Sequence, residues 1–263
     1  MSEIPSVEVH NQEEFDAAMA HGDVPEVRGQ AQVVQREGIA HYADSSRGEQ
    51  HGGVGYYRDY SRGQQHGGRA HYYDSSRGRQ HGGRAYYYNS SRGLQLAGVA
   101  FYHDSSRAAQ RGGWALVAED AKVRWEGGEQ VRVRRPFTVE EWLDQYAVEV
   151  REGIAYLYKA VGEDFSSWQD VVYIPGTVPE APDWDPGETE CGGGLHFCAR
   201  AWIALDFEPT ASRFVCCPVQ VADMVVHVMA EFPHKIKARR CCGPIVECGI
   251  NGNPLLRADQ AKP

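Results

Sequence analysis

Residues 44–58 read DSSRGEQHGGVGYYR, and the next four stretches repeat that text with changes: DYSRGQQHGGRAHYY (59–73), DSSRGRQHGGRAYYY (74–88), NSSRGLQLAGVAFYH (89–103) and DSSRAAQRGGWALVA (104–118). The period is 15 residues, without insertion, and a partial copy, GIAHYA, precedes them at 38–43. A fixed short period marks a solenoid, in which each repeat buries its inner face only by stacking on its neighbours. Fifteen residues are too few for a helical hairpin but suit two short strands and two turns. The expected strands of the first copy are 46–50 and 54–58. The Gly-Gly pairs at 52–53, 67–68, 82–83 and 112–113 suit a corner that needs positive φ. The Asp/Asn-Ser-Ser stretches suit the other corner through side-chain bonds to their own backbone.

Columns that stay fixed show which side chains face inward. The third, fourth and seventh positions are always Ser, Arg and Gln; the twelfth is Gly or Ala; the fourteenth is Tyr four times, then Val117. Alternation along a strand places positions 12 and 14 on one face and the variable positions 11, 13 and 15 on the other. An interior of Ala and Tyr against Ser, Gly and Gln follows. Tyr fills the space that Gly leaves opposite, and the Ser and Gln columns satisfy one another's hydrogen bonds.

Solenoid ends need covering. Asn11-Gln-Glu-Glu14 is a capping box that opens a helix to about His21, and Thr138-Val-Glu-Glu141 opens another to about Ala147. Gly113–Val133 reads as degenerate final coils. The expected organisation is a cap at 1–28, a two-sided parallel β-solenoid at 29–135, a capping helix and linker at 136–150, a small α+β domain at 151–250 and a mobile tail at 251–263. The overall class is mainly β. Strands of the α+β domain are expected at Ile154–Val161, 170–174, Leu195–Cys198, 213–219, 224–228 and 236–242, with a short helix at 199–207.

Charge is unevenly spread. The chain carries −9 overall, yet 38–118 holds ten Arg, no Lys and five acids. A general nucleic-acid binder is disfavoured by the total, while the repeat has a basic face to explain. Ten of the 14 Tyr and six of the 11 His share that segment. The columns Arg47, Arg62, Arg77, Arg92 and Arg107, with the aromatics, form either a platform for polyanions or glycans or a polar coat whose charge the corner Asp residues offset. The N-terminal text lacks a signal peptide and no long apolar run occurs, so a cytoplasmic chain is expected, in a host cell if phage-encoded, without a membrane partner. Its partner would be a protein, polyanion or glycan, and a homo-oligomer is compatible with this reading.

The seven Cys all lie at or after 191, and an odd number argues for free buried thiols rather than a disulfide framework. The spacing from Cys191 through His196 to Cys198 fits no common zinc pattern, and no metal is expected. Nucleophile-elbow, zincin, phosphate-loop and dinucleotide motifs do not occur. The densest local signal is ECGGGLHFC (190–198), either a tight turn into a core strand or a close-approach loop presenting His196.

Two resemblances involve that signal. LYKAV (157–161), CGGGLHFC (191–198), SRFVCCPVQV (212–221) and HKIKARR (234–240) resemble an uncharacterised domain family of bacteriophage, prophage and actinobacterial proteins, often joined to short solenoid repeats. This implies no activity and fits a non-enzymatic scaffold with a recognition domain. CGGGLHFCARAWIALDF (191–207) also resembles a segment of ADP-ribosyltransferases of the poly(ADP-ribose) polymerase type. That likeness implies an NAD cleft with Lys159, His196 and Glu247 as catalytic groups and Tyr173 as a ligand contact. Lys159 replaces the family's His or Arg, and His196 its Tyr.

Overall fold

A computed structural model of the chain describes residues 6–167, 171–187, 189, 192–228 and 232–255. The chain forms two compact units, Met1–Arg132 and Val133–Pro263.

The first unit is a parallel two-sided β-solenoid. One wall has nine strands: Ser6–Val9, Val24–Val27, and then one per coil from Ile39–Tyr42 to Glu129–Arg132. The other wall has seven, from Gln32–Gln35 to Lys122–Trp125. Register follows the period. Tyr42, Tyr57, Tyr72, Tyr87 and Tyr102 pair in sequence on the first wall. Arg47, Arg62, Arg77, Arg92 and Arg107 do so on the second. These walls are called here the tyrosine sheet and the arginine sheet. The stack extends past the five exact copies. Val33 pairs with Gly48 and Val123 with Ala108, so 29–43 and 119–132 are coils as well.

The interior is the expected one. Tyr42, Tyr57, Tyr72, Tyr87 and Tyr102 are fully buried, and their rings stack at 4.4–4.8 Å. Each such contact contributes on the order of 1 kcal/mol beyond burial. The opposite wall leaves them room through Gly48, Gly63, Gly78 and Gly93. A Cβ on Gly63 would lie 2.5 Å from the Tyr72 hydroxyl. Where the tyrosine column ends at Val117, the facing column becomes Ala108 and then Val123.

Two expected bonding patterns are corrected. The Gln amides do not bond the Ser column. Gln50 Nε2 donates to the Gly53 carbonyl (3.0 Å) and to the Arg69 carbonyl of the next coil (2.6 Å); Gln65, Gln80, Gln95 and Gln110 do the same one coil further each time. A backbone carbonyl is the stronger claim on a buried amide, because its ladder partner uses only one lone pair. The hydroxyls of Ser46, Ser61, Ser76, Ser91 and Ser106 are buried and make no hydrogen bond among the described residues. The corner residues Asp44, Asp59, Asp74, Asn89 and Asp104 adopt φ of 50–55°, which Asp and Asn tolerate. Their side chains serve the neighbouring coil rather than their own backbone: the Asp44 amide donates to Asp59 Oδ2, and the Asn89 amide to Asp104 Oδ2.

Helix α1 (Gln12–His21), N-capped by Asn11, covers the start of the stack. Gln12 Nε2 and Oε1 bond the Val34 carbonyl (3.2 Å) and amide (2.6 Å) on the first strand of the arginine sheet. Phe15 and Ala18 enter the same core as Val33 and Tyr42. Helix α2 (Val139–Gln145), N-capped by Thr138 and expected as the far cap, belongs to the second unit. There its buried Trp142 donates to the Pro233 carbonyl at 3.0 Å.

The second unit is built on an antiparallel sheet. Its strand order is Met224–Val226, Lys235–Ala238, Leu195–Cys198, Ile154–Val161, Arg213–Gln220 and Val246–Cys248, with Val150–Arg151 pairing to Ile154–Val161. Two expected elements differ. Stretch 199–207 contains only a single 3-10 turn, Ile203–Asp206. Ala199, Ala201, Trp202, Ile203, Ala204 and Leu205 are all buried, so no polar face marks out a surface helix there. Of 170–174, residue 170 lies outside the described residues, and Val172 makes only an isolated bridge with Ser166. Of the expected mobile tail, 256–263 lies outside the described residues, while 251–255 is tied back: the Leu255 amide donates to the Glu247 carbonyl at 2.9 Å. Among the described residues, no helix is long and apolar enough to cross a membrane.

Candidate functional sites

The arginine sheet carries the most concentrated charge. Pairing fixes Arg47, Arg62, Arg77, Arg92, Arg107 and Lys122 in one column. All six are exposed. Adjacent strands lie about 4.8 Å apart. Unit charges at that spacing repel by about 1 kcal/mol per pair even in bulk water. Among the described residues, no corner Asp forms an ion pair with this column. Those carboxylates accept backbone amides, and among the described residues none of the five arginines makes an ion pair. Arg36, Arg79, Arg111 and Arg124 lie in the flanking outward columns, with Glu49 and Glu126 as the carboxylates there. Glu126 is already engaged by Arg111 and Arg124. A shallow groove runs along this face, lined by Arg47, Glu49, Arg62, Gln64 and Arg79.

The same face has a histidine ladder. His51, His66 and His81 stack with centroids 4.9 Å apart. Glu49 Oε1 lies 3.0 Å from His51 Nε2 and 3.6 Å from His66 Nε2. The ligand atoms of Glu49, His51 and His66 are within 4.8 Å of one another, the only such metal-compatible group among the described residues. Glu49 lines the groove together with Arg47, Arg62 and Arg79, whose charge opposes a dication there. His196 and Cys198, weighed above for zinc, form no such group with Cys216 or Cys241 among the described residues, and Cys191 lies outside them. The described cysteines are free, and all but Cys216 and Cys242 are buried.

On the tyrosine sheet, the outward column His41, Tyr56, His71, Tyr86 and Phe101 forms a continuous ring stack with centroids 4.7–5.1 Å apart. Tyr73, Tyr88 and His103 form a second. Burial, and then Arg69, push the His71 pKa down to about 4.

In the second unit, strands Ile154–Val161 and Leu195–Cys198 pair only through Tyr158 and Cys198, and the strands part beyond it. A cavity of about 200 Å³ lies there, lined by Tyr158, Lys159, His196, Cys198, Phe207, Glu208 and Lys235, among others. Lys159 Nζ donates to the His196 main-chain carbonyl at 3.1 Å and sits 5.2 Å from the centre of the Tyr173 ring. Burial lowers its pKa to about 8. The His196 ring, buried, lies 5.8 Å from that of His227. Glu247 is not in this wall. Register places it opposite Val215, which pairs with Lys159, so it stands two strands away, about 10 Å. Its carboxylate bonds Arg213 Nη1 at 2.8 Å. Of the residues singled out in the sequence, the structure gathers Lys159, Tyr173 and the His196 carbonyl and leaves Glu247 apart. Lys235, Glu208 and Phe207 were missed, because they reach the cavity from two segments, 207–208 and 235, that no local motif links to Lys159.

The chain has no match among protein-family profiles, curated proteins or solved structures.

Proposed function

We propose that the chain is a non-enzymatic binding platform whose solenoid docks a flexible linear polyanion along the arginine sheet. The in-register arginine column without carboxylate partners carries this reading. A protein of net charge −9 keeps six of its 27 Lys and Arg residues in one unneutralised row, at a recurring repulsive cost that a bound polyanion would offset. Parallel stacking makes the row straight and rigid, which suits a chain of charges better than a compact ligand. Arginine donates in a planar fork to phosphate or sulfate oxygens.

The reading is tested by titrating fluorescently labelled inorganic polyphosphate against the protein over a salt series. Affinity should fall log-linearly with salt, with a slope of roughly −0.7 to −0.9 per neutralised charge and several charges involved. Binding that ignores salt, or no binding at low salt, contradicts the proposal.

The transferase reading gains the pairing of Lys159 with the His196 segment but loses its acid, since Glu247 is held by Arg213. The cavity is also smaller than the roughly 300–1,000 Å³ of ordinary small-molecule pockets, and a dinucleotide is a large ligand.

A further inference from the structure

The second unit holds an amine in an unusual setting. Lys159 lines the cavity where the sheet parts. A lysine in a cavity wall is ordinarily paired with a carboxylate. Among the described residues Lys159 makes no ion pair; its partners are the His196 carbonyl and the Tyr173 ring face. Neither needs a full charge on the amine. A second lysine, Lys235, stands in the same wall. Its ammonium lies 5.2 Å from the Phe207 ring centre, and it opposes protonation of Lys159. A desolvated amine beside another cation is the arrangement that keeps lysine nucleophilic near neutral pH. Glu208 supplies a carboxyl group in the wall, and Phe207 an apolar side.

We propose that this cavity takes a small aldehyde or ketone bearing an anionic group, and that Lys159 Nζ forms an imine with it. The neutral amine's lone pair attacks the carbonyl carbon, and the carbonyl oxygen gains a proton as the nitrogen loses one. The resulting carbinolamine then expels that oxygen as water, taking a second proton, while the nitrogen gives up its remaining one. The products are one C=N bond and one water, with no oxidant or reductant consumed. Glu208 is placed to carry the proton, and Lys235 to hold the ligand's anionic group. The cavity volume limits the ligand to a few heavy atoms beyond the carbonyl.

The test uses the full chain, glyoxylate as the probe and cyanoborohydride as the trap, with labelled sites read by peptide mass spectrometry. The chain has only five lysines, at 122, 159, 235, 237 and 262, so each is resolved. Lys159 should be carboxymethylated roughly tenfold faster than Lys122 at pH 7.5, after allowing for the lower nucleophilicity of a less basic amine. Its rate should level off above about pH 8. Lys159→Arg keeps the charge and should abolish the fast label while leaving the other sites unchanged. Acetaldehyde, which lacks the anionic group, should label Lys159 more slowly than glyoxylate does. Equal rates at Lys159 and Lys122, a fast label at Lys235 or Lys237, or a fast label that survives in Lys159→Arg would overturn the imine. Equal labelling by the two aldehydes would overturn the anion preference. None of these results depends on polyanion binding by the solenoid.

Discussion

Glycine at the fifth position of four successive coils, Gly48, Gly63, Gly78 and Gly93, is the residue on which the interior turns. Gly63 faces both Tyr57 and Tyr72, and a Cβ there would lie 2.5–2.8 Å from their ring and hydroxyl atoms. Gly63→Ala should therefore destabilise the solenoid by about 2 kcal/mol in urea unfolding, and Tyr72→Val should recover part of that loss. The chain makes the same exchange itself at Ala108 and Val117. His71 gives a pH signature. Its folded pKa is near 4 and its unfolded value near 6.5. Below 6.5 the unfolded chain binds a proton that the folded one refuses, so stability is complete above that value and falls toward pH 4. The loss should be on the order of 3 kcal/mol at pH 4. His71→Tyr, which copies the residues at 56 and 86 in the same stack, should remove that contribution in urea midpoints measured from pH 7 to 4.

At the scale of the element, the coil was legible because each of its parts recurs. Constant Ser, Gly and Gln on one strand and Ala and Tyr on the other mark the buried face, and Gly53 and its equivalents take positive φ at the corner as expected. The coil at 29–43 was seen only from Gly38 onward. Its first strand has Ala31, Gln32 and Val33 where later coils have Ser, Arg and Gly, because it meets α1 rather than another coil. The second unit has no repeat to average over. Ile154–Val161 and Leu195–Cys198 could be read from their apolar residues, while Val246–Cys248 is too short to show a period. Its cavity depends on where two strands part, which no alternation pattern encodes. Helix α1 offers its own test. Gln12→Ala removes both bonds to the edge strand and should cost about 1 kcal/mol, with faster amide exchange at Val34 than in the parent chain.

For the whole molecule, the structure separates two kinds of chemistry. The solenoid unit is a stack with a neutral interior and an unpaired arginine column along one wall; the other unit holds a small cavity with two lysines. Under the proposed function, binding belongs to the arginine sheet as a particular surface, not to positive charge in general. Two triple variants that remove the same charge decide it. Arg62→Gln, Arg77→Gln and Arg92→Gln strip the middle of the column, while Arg58→Gln, Arg69→Gln and Arg84→Gln strip the tyrosine sheet side. Polyphosphate affinity measured over a salt series should lose about two to three units of log–log slope in the first variant and stay near the parent in the second. Equal loss in both, or loss only in the second, would contradict the account.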